Sequence, residues 1–153
     1  MSEHNVIISI KSVQTFEDQT PETVELTTAG RLEPDGDQGY NLSYQESEVT
    51  GMEGTLTTFQ IEKDRITLMR LGQFNSQMVF EEGRRHLSMY ESPYGTLSVG
   101  INTRKMRADL DLRGGTISLA YDIELNHAVA GMTTFEIQVR EAGEGSFAAG
   151  PQT

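Results

Sequence analysis

The stretch TISLAYDIEL, residues 116–125, alternates strictly along its length. Ile117, Leu119, Tyr121, Ile123 and Leu125 fall on one side, and Ser118, Ala120, Asp122 and Glu124 on the other. A helix groups residues three and four apart, so this pattern would scatter its apolar groups around the axis. A pleated strand collects them on one face. The same period recurs in GYNLSYQE, with Tyr40, Leu42 and Tyr44 inward, and in TTFEIQVR, with Phe135, Ile137 and Val139 inward. TLTTFQIE places Thr57, Phe59 and Ile61 on one face, but Leu56 on the other gives both faces some apolar character.

Turn chemistry separates these runs. Glu62–Lys63–Asp64–Arg65 has the length of a tight hairpin, and Arg113–Gly114–Gly115–Thr116 offers glycines for a second. Pro34–Asp35–Gly36–Asp37 marks an earlier polar loop, and Asn126–His127 ends a further strand. Tyr90–Glu91–Ser92–Pro93–Tyr94–Gly95 poses a sharper question. Pro93 has no amide donor and a fixed φ, so a central strand cannot run through it, and residues 92–95 are expected to form a corner. The expected strands lie near 5–14, 23–32, 39–47, 54–62, 65–72, 76–81, 85–91, 95–103, 105–112, 116–125 and 130–140. No segment shows helical periodicity. Many short antiparallel strands joined by hairpins predict an all-β barrel or sandwich.

A chain of 153 residues is long enough for one domain with a substantial core. The barrel is expected over residues 4–140, with a flexible tail at 141–153. No apolar stretch approaches the length of a membrane helix, and the N-terminus lacks the pattern of a secretory signal. Cysteine is absent, which removes disulfides, thiolate metal sites and thiol nucleophiles and fits a cytoplasmic setting. The formal charge of −11 disfavours nucleic acid and anionic membranes as partners.

Between residues 66 and 106 the order of residues resembles the YwiB-like family, a bacterial domain of unknown function. The matching positions are Arg70, Gly72, Met78, Phe80, Gly83, Tyr90, Pro93, Tyr94, Gly95 and Thr103, followed by Gly115 and Tyr121. Ser92 stands where the family pattern has threonine. The resemblance implies a single antiparallel up-and-down barrel of eight or more strands, calycin-like and related to lipocalins, with no assigned activity. The N-terminal third carries little of the pattern and rests on alternation alone.

A small barrel either fills its interior with side chains or holds one small ligand there, so inward polar residues are the candidates for chemistry. Arg70 is in phase with Ile66 and Leu68 and is expected to point inward near a strand end. A buried guanidinium needs a counter-charge, and the expected one is an acid such as Glu91 or Glu124, or else a bound anion. Tyr90 and Tyr94, beside the proline turn, suit a cavity mouth. Tyr121, with aliphatic neighbours in phase, suits core packing. Thr103 joins these four as a candidate through the family pattern.

His4, His86 and His127 lack the spacing of metal ligands, so neither a metal nor another cofactor is expected. Glu81 and Glu82 are adjacent and therefore on opposite faces, a poor arrangement for paired-carboxylate catalysis. No nucleophile elbow, P-loop or dinucleotide fingerprint occurs. Arg104, Lys105 and Arg107, with Arg84 and Arg85, are expected on a solvated hairpin edge. The expected function is small-molecule binding in or at the mouth of the barrel. The alternative is an interaction module acting through its outer surface, as a homodimer. An enzyme is the least supported class.

Overall fold

A computed structural model of the protein describes residues 4–16, 19–36, 39–48, 51–72, 75–92, 95–125 and 128–142, with the backbone alone at 89–92. Ten strands form one antiparallel sheet: β1 (His4–Phe16), β2 (Glu22–Asp35), β3 (Gly39–Gln45), β4 (Thr55–Ile61), β5 (Ile66–Gly72), β6 (Ser76–Phe80), β7 (Arg85–Ser92), β8 (Gly95–Asp111), β9 (Gly114–Leu125) and β10 (Ala128–Glu141). Their order is β6-β5-β4-β3-β2-β1-β10-β9-β8-β7. Every consecutive pair of strands except β6 and β7 is therefore hydrogen-bonded, and β1 closes onto β10. The ladder is interrupted between β6 and β7, which meet at a seam. The seam is tied below by bonds from Gly83 N–H to the Thr103 carbonyl (2.9 Å) and from Thr103 N–H to the Arg84 carbonyl (3.2 Å). The result is a nearly closed up-and-down barrel.

The alternation seen in the sequence becomes the wall. Val6 and Ile8 of β1, Leu42 of β3, Phe59 of β4, Leu68 of β5 and Ile117 of β9 are all buried in one continuous core. Phe80 and Tyr121 pack with ring centroids 4.8 Å apart, and Tyr121 lies 6.2 Å from Phe135. At β9 the inward set fades toward the rim, where Ile123 is half-buried and Leu125 exposed, while Asp122 on the other face is buried.

Two expectations need correction. The expected strands at 95–103 and 105–112 are one strand, β8, carrying a bulge. Thr103 pairs with Tyr121 and Lys105 with Ala120, so Arg104 has no opposite residue. One extra residue reverses which side each later residue faces. Before the bulge the odd positions Val99, Ile101 and Thr103 are buried; after it, Met106 and Leu110 pack on the core. The phase change looks like a strand break in the sequence.

The second correction concerns Gly114 and Gly115. The β8–β9 turn is Leu112–Arg113, and both glycines are already in β9. They serve close approach of strands. A Cβ on Gly115 would lie 1.9 Å from the Asp109 carbonyl oxygen, and its φ is +144°. The Glu62–Arg65 turn agrees, with Glu62 N–H bonded to the Arg65 carbonyl at 2.8 Å. Pro34 and Asp35, expected in a loop, are still in β2. Ser92 pairs with Gly95, and Pro93 and Tyr94 lie outside the described residues. Asn126–His127 and the tail from 143 onward lie outside the described residues.

Candidate functional site

The inward phase of β3 does not stop at Tyr44. It continues to Glu46, just past the strand end, held there by a bond from its own N–H to the Thr55 carbonyl (2.9 Å). The Glu46 side chain is fully buried. Three strands supply its surroundings. Thr57 of β4 donates its hydroxyl to Glu46 Oε2, and Arg70 of β5 places Nε 3.9 Å from the same oxygen. Thr57 and Arg70 are direct partners in the β4–β5 ladder, which sets them side by side on the inner face.

Arg70 thus points inward as its phase predicts, with its side chain only 16% exposed. Its counter-charge differs from the expected one. Glu124 instead binds Arg85 at 2.8 Å on the outside of β9, and the side chain of Glu91 lies outside the described residues. The charge of Glu46 is nearest because β3, β4 and β5 are consecutive in the sheet.

Tyr44 and Tyr121 flank the pair. Burial pushes the Tyr44 phenol above its usual range, with the Glu46 charge adding and the Arg70 charge opposing. Burial likewise pushes the Tyr121 phenol up to about 12, again opposed by Arg70. Thr103 and Thr133 are the ladder partners of Tyr121 on β8 and β10, and both are buried. Among the described residues, the Nε of Arg70 and the hydroxyl oxygen of Thr103 have no hydrogen-bond partner. Three of the candidates read from the sequence, Arg70, Tyr121 and Thr103, therefore share one polar island inside the barrel. For Tyr90 only the backbone is described, opposite Leu97 in β7–β8, and Tyr94 lies outside the described residues. Glu46, Thr57 and Thr133 escaped the sequence reading, although each continues an inward phase already recognised.

A second feature lies in the wall. The β2–β3 ladder holds only five pairs, from Asp35↔Gly39 to Arg31↔Ser43. Beyond Ser43 the two strands part, leaving a cleft of about 520 Å³ lined by residues including Asn5, Ala29, Gly30, Ser43, Tyr44 and Gln45. Gly30 permits the close approach at its base, since a Cβ there would lie 2.5 Å from the Ser43 carbonyl oxygen. Tyr44 belongs to both features: it lines the cleft, and its phenol is hydrogen-bonded to Glu46 and Thr57 in the interior. A smaller groove of about 240 Å³ at the opposite end is mixed in character, lined by Tyr40, Ile61, Glu62, Lys63, Ile66 and Met106 among others.

The basic residues near the seam lie among acids. Arg104 bonds Asp122 at 2.8 Å, Arg107 bonds Asp109 at 2.9 Å, and Glu82 accepts from Met106 N–H at 3.1 Å. His86 meets Glu81 at 2.6 Å, and this bond holds the Glu81 carboxyl below the usual carboxylate range. Among the described residues no group of three or more ionisable ligands converges as a metal site.

A profile described as a domain of unknown function, DUF1934, matches residues 8–137. The chain belongs to the DUF1934 family. The uncharacterized beta-barrel protein YwiB of Bacillus subtilis (strain 168) is 28% identical over 120 residues, covering 78% of this chain and 82% of that protein. The crystal structure of the ywiB protein from Bacillus subtilis superposes with a TM-score of 0.81 at 23% identity, over 94% of this chain and 95% of that one. Both findings agree with the family resemblance carried by Arg70, Gly72 and the Tyr90–Gly95 region, and with an antiparallel barrel. Among the described residues no helix is long and apolar enough to cross a membrane.

Proposed function

We propose that this barrel binds a small polar molecule, and that the molecule sits in the wall cleft between β2 and β3. The observation that carries the reading is the cleft itself: about 520 Å³, within the range of ligand sites, where the β2–β3 ladder opens beside the buried polar island. Ser43, Gln45 and Asn5 offer hydrogen-bonding groups to an occupant, and Tyr44 forms the floor. Arg70, Tyr121 and Thr103 stand one layer behind Tyr44. Arg70 acts there as a positioning residue, since its charge holds Glu46 and thereby the Tyr44 hydroxyl. The calycin-like resemblance and the lack of cysteine support a ligand carrier of the cytoplasm.

Native mass spectrometry of freshly purified protein tests this directly. A small-mass adduct is expected, and Ser43→Tyr, which fills the cleft, should lose it while melting at the temperature of the ligand-free parent. If no adduct appears and no small polar compound raises the melting temperature, the reading is wrong.

A second reading, self-association through the outer surface, draws on Leu56 and Leu71. These two are direct partners across β4 and β5, 37% and 61% exposed, next to the five-residue edge strand β6. Light scattering at micromolar concentration should then report a dimer that Leu71→Lys dissociates; a monomeric parent chain would overturn it.

A further inference from the structure

The cleft has an open strand edge on one side, and this edge specifies a kind of ligand. Strand β2 continues from Gly30 back to Glu22 paired with β1 alone, nine residues without a described strand on the other side. At about 3.3 Å per residue this edge runs about 30 Å.

The direction of its backbone groups follows from two bonds. In antiparallel ladders the residues bonding to one neighbour alternate with those bonding to the other. Glu46 N–H to the Thr55 carbonyl assigns even positions of β3 to β4, so its odd positions, Ser43 among them, bond β2. Ala142 N–H to the Asn5 carbonyl assigns odd positions of β1 to β10, so its even positions bond β2. Because Val6 pairs with Gly30 and Ile8 with Thr28, even positions of β2 bond β1. Both routes leave the N–H and C=O of Thr23, Glu25, Thr27 and Ala29 aimed at the open side. Gln45 of β3 aims its own pair toward the same gap.

We infer that the cleft accepts a short extended peptide, bound as an added strand against Thr27 and Ala29, and that this peptide is cationic. The inference rests on the cleft being a binding site and deepens it by naming the ligand class. An extended peptide presents alternating amide donors and acceptors at the strand spacing, which matches a row of backbone groups better than any compact molecule does. Its charge follows from the surroundings. Glu22 and Glu25 are exposed along the edge, and Glu33 lines the cleft together with the cation Arg31. Glu48 and Glu53 are exposed on the β3–β4 connection, so acids outnumber Arg31 around the site. A second copy of this chain, itself at −11, would meet repulsion, whereas lysine side chains would be attracted.

The test uses the full chain and a blocked seven-residue peptide of alternating lysine and valine, followed by calorimetry and by amide NMR shifts at Thr27 and Ala29. Binding is expected to fall about tenfold in Ala29→Pro, which removes an edge N–H and leaves the β1 ladder intact. A peptide N-methylated at alternate amides should not bind the unaltered chain, and neither should a glutamate–valine peptide. That control stands even if Ala29→Pro folds poorly. Equal binding of the methylated peptide, or binding of neither peptide, overturns the inference. If the peptides fail while a small-mass adduct is still lost in Ser43→Tyr, the peptide class alone is wrong. If the adduct is absent as well, the cleft reading fails with it.

Discussion

Arg70 Nε stands 3.9 Å from Glu46 Oε2 inside the barrel wall, one charge on β5 facing another just beyond β3. Neither is replaceable singly. A buried pair contributes little net stability compared with apolar groups of the same volume, yet breaking it leaves one charge desolvated and uncompensated.

Arg70→Ala should therefore cost about 3–5 kcal/mol of unfolding free energy, and Glu46→Leu a comparable amount. The double variant Arg70→Met with Glu46→Leu should recover most of the loss, because no lone charge remains. Urea denaturation of the four proteins measures the coupling; additive losses would mean that the two charges do not compensate each other.

The phenols report the same island through pH. Tyr121 titrates near 12 in the folded chain and near 10 when unfolded, so the folded state disfavours the ionised form. Its contribution to stability is complete below pH 10 and is lost as pH rises through 12. Tyr44 shifts in the same direction. Absorbance titration at alkaline pH should show these two ionising late, together with unfolding, and Tyr121→Phe should flatten the alkaline fall in melting temperature.

Glu81 shifts the opposite way. Its hydrogen bond to His86 favours the carboxylate, so the stability it contributes is present above the ordinary carboxylate pKa and lost as pH falls through the lowered one. In His86→Ala, an NMR titration of the Glu81 carboxyl carbon should show a higher midpoint than in the parent chain.

The β8 bulge makes a geometric prediction. Arg104→Ala should cost about 1–3 kcal/mol: the arginine side chain is 62% exposed, but its partner Asp122 is buried and would lose its counter-charge. Deleting Arg104 outright should leave the chain folded, since Thr103 would still oppose Tyr121, Lys105 would still oppose Ala120, and Met106 would still oppose Leu119 on the core face. Circular dichroism and thermal melting check both variants.

Much of the barrel was legible because alternation is local. Ile117, Leu119 and Tyr121 reveal their face whatever lies opposite them, and the Glu62–Arg65 and Ser92–Gly95 turns carry their own chemistry. The inward direction of Arg70 was legible for the same reason, being fixed by Ile66 and Leu68. The phase that carries Glu46 inward was equally visible in NLSYQE, but a glutamate at a strand end also suits solvent.

The sequence by itself determined that the chain is made of strands, which face of most of them is buried, and how they connect, because period and turn residues act within a few positions of one another. Only the tertiary structure decided that Glu46 answers Arg70, that Arg104 is a bulge within one strand, and that β2 and β3 part at Ser43. Each of these depends on register between strands. Register is set by the closing of the whole barrel, which no single segment encodes.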